Sequence, residues 1–167
     1  MDHVIAMPDA VVALAAHRQS GGGIELSLVC ILDGRIGDPV TWAGQTASDI
    51  KTAPFAAVAD DIRAHLGDGV LAVHGRRGAL ALIGAILPGW RPATLLDTRS
   101  LARLAVRHRD ARSGLASLRI DMARGAAARA RATAQLLVLA CEAGTACGAQ
   151  WSALAEGTAV PGGLCSG

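Results

Sequence analysis

The sequence predicts an α/β domain built on a mixed five-stranded sheet, three antiparallel strands followed by two parallel ones, flanked by helices. Three observations carry this. Residues 10–42 show strand-like apolar patterns joined by short turns. After Pro54 the apolar period changes to helical spacing. From there short apolar runs alternate with helices, the order expected where strands turn parallel. The domain is read as 10–144, with 1–9 a leader and 145–167 a tail of Gly, Ser and Pro content that can pack back in part through Trp151 and Leu154.

Ala10 to Ala16 is an unbroken apolar run, suited to a central strand buried on both faces. Ser20 to Gly23 is a loop. Ile24, Leu26, Leu28, Cys30 and Leu32 then alternate along a second strand. Asp33-Gly34 is a hairpin signal, because both central residues of the tightest turn need positive φ. A third strand runs from Arg35 to about Trp42, interrupted by Gly37 and Pro39.

Pro54 suits the first turn of a helix. Phe55, Val58, Ile62 and Leu66 follow at helical spacing, and Gly67 is the stop. Gly69 to Val73 reads as a strand and Leu80 to Leu87 as a helix ended by Pro88-Gly89. A further strand, Ala93 to Leu96, closes on Asp97-Thr98. In the helix from Ser100 to Arg107, residues Arg99, Arg103 and Arg107 form a basic stripe opposite Leu101, Leu104 and Ala105. Gly114 to Met122 and Ala126 to Ala143 complete the helices, the last stopping at Gly144.

The only aromatic residues are Phe55, Trp42, Trp90 and Trp151, so Ala, Val, Leu and Ile must build the core. Net charge is +2, but residues 91–131 hold ten Arg against three Asp, a local balance of +7. Such asymmetry marks either a face for a polyanion or acidic partner, or a set of solvated helix surfaces. Cys30 reads as a small core residue, and Cys141 and Cys147 lack zinc-knuckle spacing. Free thiols in a reducing cytoplasm are expected. No apolar run reaches the roughly 18 residues of a membrane span, and the leader lacks the basic start of a signal peptide.

Three stretches, in order, resemble the DEDD-type 3′–5′ exonucleases related to the epsilon subunit of DNA polymerase III. Residues 53–87, APFAAVADDIRAHLGDGVLAVHGRRGALALIGAIL, are similar to that family's second motif and the helix before it. LLDTRSLARL at 95–104 resembles its Leu-Asp-Thr strand end, and ARARATAQLL at 128–137 resembles its third motif, Asp-Ala-x-Ala-Thr. The resemblance covers about 10–143 and implies a ribonuclease H-like fold.

It also implies a lost activity. In the family an Asp-x-Glu on the first strand, an Asp in the second motif, and a His with an Asp five residues later in the third serve two-metal hydrolysis. Here the first pair falls on Ala13 and Ala15, or on Ala15 and His17. His74 matches the second motif, but Ala79 stands at its Asp; Arg124 stands at the third-motif His and Arg129 at the final Asp. A guanidinium is never a metal ligand. Placed about 5 Å from a dication it is repelled by roughly 6–7 kcal/mol at an effective dielectric of about 20.

The resemblance with these losses implies a pseudoenzyme without catalytic residues, metal or cofactor, serving as a protein-interaction or scaffold subunit with a protein partner or as a homodimer. An alternative is a single-stranded nucleic-acid-binding module whose cleft is lined by His17, His74, Arg76, Arg77, Arg124, Arg129 and Arg131. A second alternative is a repurposed apolar cleft that binds or transforms a small molecule beside His74. Arg129 paired with Glu25 or Asp97 is the purely structural expectation for that residue.

Overall fold

The computed structural model describes residues 9–20, 22–44, 54–107, 111–146 and 159–161. The expected leader, apart from Asp9, and most of the tail, with Cys147, Trp151, Leu154 and Cys165, lie outside these residues.

The chain opens with β1 (Ala10–Arg18), β2 (Ile24–Leu32) and β3 (Arg35–Gly44), an antiparallel meander. Asp33 and Gly34 both take positive φ, 48° and 74°, and Leu32 pairs with Arg35 across this two-residue turn. A register shift near Val29–Ile31 takes up the irregularity at Gly37 and Pro39, and β3 lies at the sheet edge, where a proline costs no internal ladder bond.

Next come α1 (Pro54–Leu66), β4 (Val70–Val73), α2 (Arg76–Ile86), β5 (Thr94–Asp97), α3 (Thr98–Arg107), α4 (Ala111–Met122), α5 (Ala126–Ala146) and β6 (Ala159–Pro161). The strand order is β3-β2-β1-β4-β5-β6. β1 lies between β2, its antiparallel partner, and β4, which runs parallel to it. The five expected strands are present, and the tail adds β6 antiparallel to β5 at the far edge.

Alternation along β1 divides the core. Leu14 packs on one face with Leu26, Leu28 and Val73, beneath Phe55 and Ile62 of α1 and Ile83 and Ile86 of α2. Val11 and Ala13 face the other way with Val29, Ile31 and Ala72, beneath Ala130, Ala134 and Leu137 of α5 and Leu101 of α3. On this second face alanines meet alanines, so α5 can lie close to the strands. α4 forms an outer layer, its Ile120 packed with Ala102 and Leu136.

The structure corrects three local readings. α2 starts at Arg76 rather than Leu80, because Gly75 at φ +90° makes the turn and Arg76-Arg77-Gly78 already form the first helical turn. α5 continues through Gly144. Cys30 is only half-buried, and Leu32, beyond the cover of the helices, is exposed. Cys141, on α5, is buried against the sheet, and that burial, with Glu142 alongside, pushes its thiol up to about 12, so it stays protonated at neutral pH.

Ala134→Leu inserts a large side chain at a position with 0% exposure and is expected to cost about 1–3 kcal/mol in urea denaturation. Gln135→Leu, on the exposed side of the same turn, is expected to stay within about 0.5 kcal/mol of the parent. Equal stability of the two variants would contradict the close seating of α5.

Candidate functional site

At the C-terminal ends of β1 and β4, where open α/β sheets commonly bind ligands, lies a cleft of about 360 Å³. It opens between α2 on one side of the sheet and α4 and α5 on the other. Ala15 and Ala16 of β1 and Gly78 and Ala79 of α2 supply small side chains to its wall. Among the described residues its charged lining consists of Arg18, Arg99 and Arg129 against one acid, Asp121, with His74 between them.

His74 follows β4 and is held from both ends. Thr98 Oγ1 donates to the Val73 carbonyl at 3.2 Å. Its one proton being used, it accepts from Nδ1–H of His74 at 2.9 Å. That fixes the neutral tautomer and leaves the lone pair on Nε2. The Ser117 hydroxyl donates to Nε2 at 3.3 Å, and Arg99 Nε lies 3.5 Å away. Asp121 Oδ1 is 3.8 Å from Nε2 but closer, 2.8 Å, to Arg99 Nη2. The imidazole is 5% exposed. Burial first, then the Arg99 guanidinium, holds it below the ordinary histidine value of 6.5, against the opposing pull of Asp121 and Asp97.

The turns below this ring are tied by Asp97. Its Oδ1 accepts from the backbone N–H of Gly75 at 3.1 Å and of Arg99 at 3.0 Å, capping α3 while fixing the turn into α2. Glu25 does the same for α5, accepting from Ala126 N–H at 3.2 Å. Neither acid pairs with Arg129, contrary to the structural expectation. Arg129 Nε instead donates to the Ala123 carbonyl at 3.0 Å, anchoring the side chain at the α4–α5 junction on the cleft wall.

Of the residues singled out in the sequence, Ala15, His74, Ala79 and Arg129 meet in the cleft. Ala13 is wholly buried in the core below it. His17 is half-buried opposite Glu25, outside the lining. Arg76 and Arg77 are exposed on the first turn of α2, next to the cleft-lining Gly75 and Gly78. Arg124 is exposed before α5. Arg131, two residues beyond Arg129, points elsewhere and lies 3.8 Å from Asp38. Sequence reasoning missed Arg18, Thr98, Ser117 and Asp121. Ser117 and Asp121 stand at i, i+4 on α4, a spacing that marks one helix face and was the available signal.

Among the described residues no group of three or more His, Cys, Asp or Glu is placed to hold a metal ion. The arrangement offers guanidinium donors for an anion and a neutral imidazole with its basic nitrogen toward a hydroxyl. No helix among the described residues is long and apolar enough to cross a membrane. Comparison with known protein families, curated proteins and solved structures finds no match.

Because the folded state holds His74 neutral, the unfolded chain binds that proton more readily. The stabilisation is therefore full above the unfolded value of 6.5 and declines as the pH falls below it toward the lowered folded value. His74→Asn keeps a donor toward Thr98 but cannot titrate. Its melting temperature is expected to fall less than the parent's between about pH 7 and about pH 5. Parallel curves would show that the ring is not buried in its neutral form.

Proposed function

We propose that this chain is an exonuclease-like protein without metal-dependent nuclease activity, whose cleft holds the phosphates of single-stranded nucleic acid. The observation that carries the proposal is the charge of the cleft: Arg18, Arg99 and Arg129 face it, and the one carboxylate among its described lining residues, Asp121, is already engaged by Arg99. Phosphate binds guanidinium groups without a metal. A dication at the same place has Ala15 and Ala79 where the resemblance calls for acids, and meets the repulsion of Arg129. The strand order and the place of Arg129 on α5 against β1 support the ribonuclease H-like reading.

Three arginine contacts to a single strand imply that affinity falls on the order of 20-fold between about 50 and about 200 mM salt. Fluorescence anisotropy of a labelled oligothymidylate in EDTA measures this directly. Arg129→Ala is expected to reduce the salt slope by about 0.7 while leaving the melting temperature close to the parent's. Absence of binding at low salt would remove the strand-binding reading. Mg²⁺- or Mn²⁺-dependent shortening of the oligonucleotide would remove the non-catalytic one.

A protein-docking role has a separate observation in its favour. α4 leaves Leu115, Leu118 and Met122 exposed at i, i+3 and i+7, an apolar row with no cover among the described residues.

A further inference from the structure

Six large apolar side chains among the described residues are exposed, and four of them, Val106, Leu115, Leu118 and Met122, lie on α3 and α4. Single exposed apolar residues are ordinary, but a cluster on one helical pair marks a contact surface. Between these helices runs a groove whose floor is Ala102, Val106, Gly114 and Leu118. Gly114 makes that floor possible: a Cβ there would stand 3.0 Å from Val106 Cγ2, so glycine lets α3 and α4 approach.

The rim is cationic. Arg103 and Arg107 line the groove, are exposed, and have no ion-pair partner among the described residues. Asp121, the only acid among its described lining residues, is taken by Arg99 at 2.8 Å. An apolar floor beside unpaired guanidinium groups is complementary to one kind of ligand, a helix with an apolar row flanked by carboxylates.

We infer that the α3–α4 groove is a docking site for an acidic amphipathic helix of a partner protein. Nucleic acid would satisfy the arginines but leave the aliphatic floor without a counterpart, since no aromatic side chain is among the described lining residues to stack a base. A second copy of this chain, joined symmetrically through the same groove, would bring two basic rims together. The surface is separate from the floor of the cleft, and the inference stands independently of strand binding.

The test uses the full chain and three synthetic helical peptides of equal length. One carries Leu at i, i+3, i+4 and i+7 with Glu on both flanks, the second has Lys in place of Glu, and the third has Ser in place of Leu. Titration calorimetry is expected to show the Glu/Leu peptide binding at least tenfold more tightly than either of the others. Arg103→Glu with Arg107→Glu is expected to invert the preference toward the Lys peptide, and Leu118→Asp to weaken both. Amide chemical-shift changes on the unmodified protein should map to α3 and α4, which keeps the test independent of how the variants fold. Arg129→Ala should leave peptide binding unchanged. Equal affinity for all three peptides, shifts confined to other elements, a concentration-dependent dimer that excludes the peptide, or displacement of the peptide by oligothymidylate from α3 and α4 would each overturn the inference.

Discussion

One carboxylate and one hydroxyl hold the ends of the two parallel strands in place. Asp97 collects the backbone N–H groups of Gly75 and Arg99, and Thr98, fully buried, bridges the Val73 carbonyl to the His74 ring. Hydrogen bonds to a charged acceptor are worth about 1.5–3 kcal/mol each, more than neutral ones, and here two converge on a single oxygen. They join the β4–α2 turn to the β5–α3 turn, segments more than twenty residues apart. The positive φ of Gly75 belongs to the same arrangement, because it turns the chain so that its N–H can reach Asp97. The places of His74, Arg99 and the start of α2 all follow from this junction, and so does the shape of the cleft.

The electrostatics of the cleft follow from which acids are spent on the backbone. Glu25 and Asp97 lie close to it, yet both accept from helix N-terminal amides. Asp121 is the remaining acid in the lining and sits against Arg99. Among the described residues Arg18 and Arg129 therefore face the cleft with no carboxylate paired to them. Arg129 is held through Nε by the Ala123 carbonyl, which leaves its terminal nitrogens available. A guanidinium fixed by one nitrogen and presented by the others has lost part of its rotamer entropy before any anion arrives.

The sheet was legible because its signals are local. The alternation of Ile24, Leu26 and Leu28, the Asp33-Gly34 turn and the apolar run of β1 each depend on neighbours within a few residues. Helix limits were less legible. Arg76, Arg77 and Gly78 read as loop on composition, and only the backbone of Gly75 shows that the helix has begun. Ala15, Ala79 and Arg129 were singled out in the sequence through a resemblance to a motif, and all three line the cleft. The rest depends on contacts across long sequence separations: Ser117 with His74, Arg99 with Asp121, Glu25 with Ala126. No local pattern encodes these, since the topology brings them together only after the sheet has formed. The apolar row on α4 was hidden for another reason. Leu115 and Leu118 look like core residues in a helix, and burial of Ser113 and Ile120 instead reveals which face turns inward.

Cleft and groove share one wall, the Arg99–Asp121 pair. Its side chains are 43% and 52% exposed, so as an ion pair it adds little to stability, about 0–1 kcal/mol. Its contribution is positional. Arg99 lies in the first turn of α3, and its backbone N–H is fixed by Asp97, while Asp121 lies in the last turn of α4. The pair thus bridges a helix locked to the sheet and a helix that is not part of the sheet-facing layer, while the buried packing of Ala102, Ile120 and Leu136 sets their spacing. An anion in the cleft would compete with Asp121 for Arg99, and a helix docked in the groove would meet the same pair from the α3–α4 side. Because the contact is weak and solvent-accessible, either event can alter it without disturbing the core, where Leu136 and Ile120 hold α4 to α5.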